Sequence, residues 1–502
     1  MGMSSPSALP CCTVAKLALM AIAALASASA AQTAPTSGPS TPSRDQQVRQ
    51  DHDRLNAEAL RLGGWEQWSQ QLSGFAAQIQ KRLDNRPVPA KNRSFIAKDS
   101  PLAGHDGFLF SARRTDQIPY EIQLNRPDKL GDERYEKAFR AIADFSAQLK
   151  SRGIDLLVVP VPDKCDVYPE LLAELPQPDL SVQLRSKQLF LRLLRADVEV
   201  VDLAPLLLAH KRQEPPLYMR RDTHWSPVAS KLAAAELARR LMRYDFVQHH
   251  ARQPARYVDR DKVLRHNGDL AQNWVAAGNK PFPPEQYKLP AVYQRNGKPP
   301  HVDNSSPIWI MGDSYVDFWG SDASVWAYLA AQINLPPGIH TQPGGGCNVP
   351  PTFATLLRKG SAPPRVLIWL FTSCSLYETD FASADLPKHD AKPAPRQPAI
   401  VEAEILSDPP TLNPAQAPYP HALVTLQLSV RKVVEGNLPD KQILAIFPLM
   451  ADRKLLPASA YRKGQHLRLQ LQIDVPTKQA SWMMLDDTDD FSTVPYYATP
   501  QP

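Results

Sequence analysis

Pro307-Ile-Trp-Ile-Met-Gly-Asp-Ser-Tyr315 is the stretch whose reading decides the fold. The apolar run Ile308 to Met311 stops at Gly312, and Asp313-Ser314 follow at once. That pattern predicts a buried strand ending in a tight turn, with a serine displayed at its C-terminal edge. In an open α/β sheet, ligands bind at that edge. Glycine before a polar pair lets the chain bend sharply and brings a hydroxyl and a peptide N–H towards one point, as a nucleophile with an oxyanion donor requires. Gly-Asp-Ser alone is a weak signal, because short motifs recur by chance and a solvent-facing turn serine reads the same way.

Working outward, the same rhythm recurs on both sides. Ile154 to Val161 is a near-continuous apolar run, the mark of a strand buried on both faces. An amphipathic helix over residues 133 to 150 precedes it, a helix over about 180 to 195 follows, and Val198 to Leu203 reads as the next strand. Downstream lie a helix from Ser324 to Ile333 and an apolar strand from Arg365 to Phe371. Strand–helix–strand alternation with short loops predicts a parallel α/β sheet.

The second polar stretch is Arg221-Asp222-Thr223-His224-Trp225-Ser226-Pro227, about 90 residues before Ser314. On an extended segment, Asp222 and His224 share one face. The pair reads either as a carboxylate orienting an imidazole or as a helix cap beside a loop histidine. Together with Ser314 it supplies the parts of nucleophilic acyl transfer: Ser314 to attack, His224 to take its proton, Asp222 to hold the tautomer. The order Asp, His, Ser is no obstacle, because geometry defines a triad. Trp225 and Tyr315 adjoin these residues and are candidate substrate-binding aromatics. The glycine loop at 344 to 346 either offers backbone N–H groups to a ligand or is a connection.

Composition sets outer limits. The chain has 502 residues, 43% of them hydrophobic, enough for two or three domains with real cores. Its 50 prolines against 21 glycines predict rigid loops and extended linkers. A net charge of +6 permits an acidic polymer as partner without requiring one. No Lys/Arg block points to nucleic acid. Residues 1–30 read as a secretory signal: Lys16, the apolar run Leu17 to Leu25, then Ala28-Ser29-Ala30, a run too short to anchor in a bilayer. The mature protein is expected to be soluble and exported. Beyond Cys11 and Cys12 of the signal, Cys165, Cys347 and Cys374 remain. Either Cys347 bridges Cys374, or all three are buried thiols. No Cys/His spacing resembles a zinc site, and no cofactor is expected.

Residues 31–94 read as a linker and an N-terminal helical segment, the latter carried by a stripe from Leu55 to Leu83. The catalytic region is expected over 95–385 and a Pro-rich linker over 386–398. Beyond it the apolar period becomes two, at Val424 to Val430 and Leu467 to Ile473, predicting a small antiparallel β domain over 399–480 and a tail over 481–502.

At this point the sequence resembles the SGNH-hydrolase superfamily, in which a Gly-Asp-Ser block holds the nucleophile. Common SGNH esterases place that block before the Asp/His block; here the order is inverted. That order, with Asp222-Thr-His-Trp-Ser-Pro227, looks like the alginate O-acetyltransferase group typified by AlgX and AlgJ. Further matches are Gly104-His-Asp-Gly-Phe-Leu-Phe110, the Val-Pro-Asp-Lys and Tyr-Pro-Glu loop at 161 to 170, Gly268-Asp-Leu270 and the Val-Leu-Ile-Trp strand. The resemblance implies an α/β/α sandwich and Ser314, His224 and Asp222 as the catalytic residues. It also implies a periplasmic O-acetyltransferase acting on a secreted, alginate-like polysaccharide. Acetyl groups would come from a membrane-bound O-acyltransferase partner, within a polysaccharide export complex. The oxyanion donors match less clearly; the N–H of Ser314 with Gly345 and Gly346 is the expectation. An exported esterase or deacetylase would use the same residues with water as acceptor. A non-catalytic scaffold would not need all three.

Overall fold

Five strands with almost unbroken apolar sequence make the central sheet: β3 (Asp155–Val161), β4 (Glu199–Val200), β7 (Ile308–Gly312), β8 (Gly338–Thr341) and β9 (Val366–Thr372). Their order is β4-β3-β9-β7-β8 and every pairing is parallel. The computed structural model describes residues 41–86, 101–125, 128–358, 361–378, 380–387, 397–415, 417, 420–476, 478–479, 482–486, 488 and 495–501. The expected signal segment and most of the 386–398 linker lie outside the described residues.

Strand periodicity splits the sheet's side chains between two cores. Leu157, Val159, Val161, Ile308, Ile310, Ile368 and Leu370 face one layer, which includes helices α2 (Trp65–Asp84), α5 (Pro227–Leu241) and α7 (Val325–Ile333). Leu156, Val158, Trp309, Met311, Leu367, Trp369 and Phe371 face the other, with α3 (Lys129–Lys150), α4 (Leu184–Arg195) and α8 (Val349–Arg358). This is the expected α/β/α sandwich. The expected strand over 198–203 pairs at Glu199 and Val200, and a helix follows from Ala204; between them Asp202 meets Lys187 at 3.1 Å.

The N-terminal helical stripe forms two helices, α1 (Arg44–Arg61) and α2. Ser43 caps α1 in a capping box with Gln46. Buried ion pairs tie α1 to the sandwich: Asp51 with Arg240 at 2.8 Å, and Glu58 with Lys187 at 2.9 Å.

An antiparallel ribbon joins β5 (Tyr257–His266) to β6 (Glu285–Gln294), running from Tyr257 opposite Gln294 to His266 opposite Glu285. Its strands are mostly polar and β6 holds Pro290, so sequence periodicity reads this region as turn and Pro-rich loop. Between them α6 (Asp269–Ala276) begins at Gly268. An earlier small hairpin pairs β1 (Pro101–Ala103) with β2 (Leu109–Ser111).

The C-terminal strands are β10 (Ala399–Ile405), β11 (Ala422–Glu435), β12 (Gln442–Ala451), β13 (His466–Gln472), β14 (Met483–Asp486) and β15 (Tyr496–Pro500). Pairings β10–β11, β11–β12, β12–β15, β15–β13 and β13–β10 close a ring around Val401, Val424, Leu426, Phe447, Leu469 and Leu471. The ring is antiparallel except at β12–β15. Residues expected to be a tail supply β14 and the closing strand β15. Closure removes the unpaired edges a small sheet would expose.

Candidate active site

The site is built on the end of β7. A Cβ on Gly312 would lie 1.7 Å from the Leu370 carbonyl oxygen, so only glycine lets β7 lie this close to β9. Asp313 then fixes the turn: its Oδ1 accepts from Tyr315 N at 2.9 Å and its Oδ2 from Thr372 N at 2.8 Å. Ser314 follows at the sheet's C-terminal edge.

His224 Nε2 lies 2.8 Å from Ser314 Oγ, and His224 Nδ1 lies 2.7 Å from Asp222 Oδ1. The ionised carboxylate is acceptor only, so it keeps the proton on Nδ1 and leaves the Nε2 lone pair for the Ser314 hydroxyl. Phe318, one turn beyond Ser314, stacks on the His224 ring with centroids 3.6 Å apart and planes within 9°. That contact blocks rotation of the ring out of line. The fold thus brings Asp222, His224 and Ser314 together.

Four donors converge on the buried Asp222 carboxylate. Oδ1 also accepts the His224 N–H at 2.8 Å; Oδ2 accepts His266 Nε2–H at 2.7 Å and Asp269 N–H at 3.1 Å. Burial by itself would raise this carboxyl, but the charges and hydrogen bonds of His224 and His266 outweigh it and hold it well below the usual carboxylate range. Asp269 braces the loop from the other side, accepting from Thr223 N at 2.8 Å and Thr223 Oγ1 at 2.6 Å. Its carboxyl is pushed up by burial and by the Asp222 charge. Gly268 makes this docking feasible, since a Cβ there would lie 1.8 Å from the Arg221 carbonyl oxygen.

Asp222, His224 and Asp269 bring ligand-type atoms within 4.8 Å of one another. Each of these side chains is already engaged in the hydrogen bonds above. Asp317, on the Ser314 turn, accepts from Thr341 Oγ1 at 3.1 Å and is pushed up to about 6, chiefly by burial.

Three expectations need correction. Tyr315 and Trp225 are 1% and 0% exposed, so neither can meet a polymer. The Tyr315 hydroxyl instead donates to Thr223 O at 2.6 Å and accepts from Arg114 at 2.7 Å, and the Trp225 ring packs on Tyr315. They support the His224 and Ser314 loops from behind. Gly345 N–H donates to Gln342 O at 2.9 Å within its own turn, which takes it out of the oxyanion role. Gly346 lies against Asp313 and Phe371. Cys165, Cys347 and Cys374 are buried thiols, and no disulfide joins Cys347 to Cys374.

Sequence reasoning missed His266, Asp269 and Phe318. The first two lie in the His266-Asn-Gly-Asp-Leu270 turn, and Gly268-Asp269 was their signal. Phe318 had none.

The profile of the family described as "SGNH hydrolase-like domain, acetyltransferase AlgX" matches residues 102–373. The probable alginate O-acetylase AlgJ of Pseudomonas fluorescens is 24% identical over 257 residues, 48% of this chain and 61% of that protein. The chain thus spans less than two thirds of that relative's length. Among solved structures, the O-acetyltransferase domain of Pseudomonas putida AlgJ has a TM-score of 0.43 at 22% identity, over 58% of this chain and 96% of that one. Pseudomonas aeruginosa AlgX has a TM-score of 0.41 at 16% identity, over 75% of this chain and 92% of that one.

Proposed function

The chain belongs to the SGNH hydrolase-like acetyltransferase family of AlgX, and from that premise we propose that it is a periplasmic O-acetyltransferase acting on a secreted, alginate-like polysaccharide. The observation that carries the mechanism is the unbroken line from Asp222 Oδ1 through His224 to Ser314 Oγ, with contacts of 2.7 and 2.8 Å.

Ser314 Oγ attacks the acetyl carbonyl carbon of the donor while its proton passes to His224 Nε2. Collapse of the tetrahedral adduct breaks the bond to the donor oxygen, which leaves with the proton from His224. Acetyl-Ser314 remains. A sugar hydroxyl then gives its proton to His224 and attacks the acetyl carbon, and Ser314 Oγ leaves with that proton. Asp222 stabilises the imidazolium in both halves. The backbone N–H of Ser314, with Gly346 beside the turn, is the proposed oxyanion donor set. The acetyl donor would be supplied by a membrane-bound O-acyltransferase partner, in an export complex. No helix among the described residues is long and apolar enough to cross a membrane, which suits a chain carried out by the expected signal segment.

The test is incubation of the mature chain with p-nitrophenyl acetate, with and without uronic-acid or glucan oligosaccharides, followed by mass spectrometry of the sugars. Acetylated sugar that disappears in Ser314→Ala supports the transferase and names the polymer class. Nitrophenol release with no acetylated sugar in any arm assigns the same residues to an esterase. Transfer that persists in Ser314→Ala sinks the mechanism.

A further inference from the structure

His266 ends β5 directly opposite Glu285 on β6, on the side of Asp222 away from His224. Its Nε2 lies 2.7 Å from Asp222 Oδ2, matching the 2.7 Å between His224 Nδ1 and Oδ1. The shared carboxylate is 1% exposed, so two imidazoles divide one dry anion. Acyl transfer as written above uses only one of them. We propose that His266 is a positioning residue for this reaction: it holds Asp222 by its second oxygen and, as a cation, extends the base function of His224 to lower pH. The inference rests on the acyl-transfer reading.

The positioning half follows from geometry. A carboxylate held on one oxygen can swing about its Cβ–Cγ bond. Donors on both oxygens, His266 and Asp269 N–H on one and His224 on the other, fix its plane and with it the His224 ring. His266 is itself held, edge-on to Trp319 at 5.1 Å and to Phe318 at 6.0 Å, the ring that stacks on His224.

The charge half follows from the surroundings. Around His266 stand Asp222 on the catalytic loop, Asp269 at the start of α6 and Glu285 on β6. Burial would push the imidazole down; the bond to Asp222 and the charges of these three acids outweigh it, and the net displacement is upward. Lys164 faces the same acids from the loop after β3, donating to Leu109 O and Arg220 O at 2.9 and 3.2 Å; burial pushes it down to about 8. The Arg220 guanidinium donates to Glu214 and to the Tyr287 hydroxyl, and that of Arg221 donates to Pro283 O. Tyr287 caps Glu285 at 3.0 Å. His266 therefore keeps its proton to higher pH than a free imidazole. A cation on Oδ2 offsets part of the negative charge that would otherwise favour a second proton on His224. Removing that cation should therefore move the acid limb of the activity profile upward.

The experiment compares wild type, His266→Gln and His266→Ala in the full mature chain. It follows kcat/KM for p-nitrophenyl acetate against pH, with a ¹⁵N-histidine NMR titration of His224 alongside. Glutamine keeps an N–H donor without charge. The expected result for both variants is an acid limb, and a His224 midpoint, moved up by roughly 0.5–1 pH unit. The plateau should fall about tenfold in the alanine variant, which loses a hydrogen bond to a charged acceptor, and clearly less in the glutamine variant. Limbs and midpoints that superimpose on wild type would overturn the charge role. Equal plateau losses in glutamine and alanine would overturn the positioning role. If wild type shows no turnover, the acyl-transfer reading fails, and the NMR midpoints alone decide whether His266 tunes His224.

Discussion

Asp222→Asn changes one atom and tests the whole site. The carboxylate receives four donors, two on each oxygen. An amide keeps one acceptor oxygen and puts a donor in place of the other. If the NH2 group faces His224, Nδ1 must accept, and the imidazole proton moves to Nε2. Nε2 then points a hydrogen at Ser314 Oγ, and the base is gone. If the NH2 group faces the other way, it meets the Asp269 N–H and His266, and one backbone donor is orphaned. Either way a tautomer change relieves the facing imidazole, while one buried backbone N–H, that of His224 or that of Asp269, is left unpaired, which costs about 1–3 kcal/mol. The amide therefore does not hold the catalytic tautomer as the carboxylate does, and in both orientations the charge that stabilises the imidazolium is gone. The loss expected for the missing charge and the unheld tautomer is about 10⁴-fold in kcat, near 5 kcal/mol of barrier. Steady-state release of nitrophenol from p-nitrophenyl acetate measures it, and a urea titration followed by tryptophan fluorescence shows that the chain is folded. A folded Asp222→Asn variant within about tenfold of wild type would refute the claim that Asp222 sets the His224 tautomer.

Three further outcomes are expected. Gly268→Ala brings a Cβ to 1.8 Å from the Arg221 carbonyl oxygen; the turn carrying His266 and Asp269 must move, and kcat/KM should fall about 10²-fold for a displacement near 1 Å. Lys187→Met leaves Asp202, 2% exposed, with the Ala204 N–H at 3.0 Å and the half-exposed Arg54 at 3.5 Å, and should lower the urea-derived stability by about 3–5 kcal/mol with the site chemistry intact. Stability against pH should decline from both ends. The depressed carboxyls of Asp222 and Asp202 contribute fully above their unfolded value near 3.9 and lose that contribution as pH falls below it. The raised His266 contributes fully below its unfolded value near 6.5 and loses it as pH rises through its folded value. Melting temperatures across pH for wild type and His266→Gln check the second limb, which the variant should lack.

What the sequence displays and what it hides follow one physical division. The central sheet was legible because β3, β7 and β9 are buried on both faces, and only apolar side chains tolerate that. The Ser314 and Asp222-x-His224 blocks were legible because the chemistry needs those residue types at those spacings. The β5–β6 ribbon was not, because most of its side chains are solvated and β6 carries a proline, so no apolar period marks it. Yet that ribbon ends in His266, which completes the Asp222 environment. Tyr315 and Trp225 were misread for the reverse reason. Adjacency to a catalytic residue in sequence says nothing about which way a side chain points, and these two point into the core, where the Tyr315 hydroxyl joins the 223 loop to Arg114. The cysteines show the same limit: loop placement near strand ends allowed a bridge, but only coordinates settle whether two sulfurs meet. Glycine is the exception that carries long-range information locally. Gly312 and Gly268 each stand where a neighbouring carbonyl leaves no room for a Cβ. Of the three glycine–aspartate steps in this chain, those at 268–269 and 312–313 mark the two places where the loops carrying His266 and Ser314 are pressed against the frame that aims them.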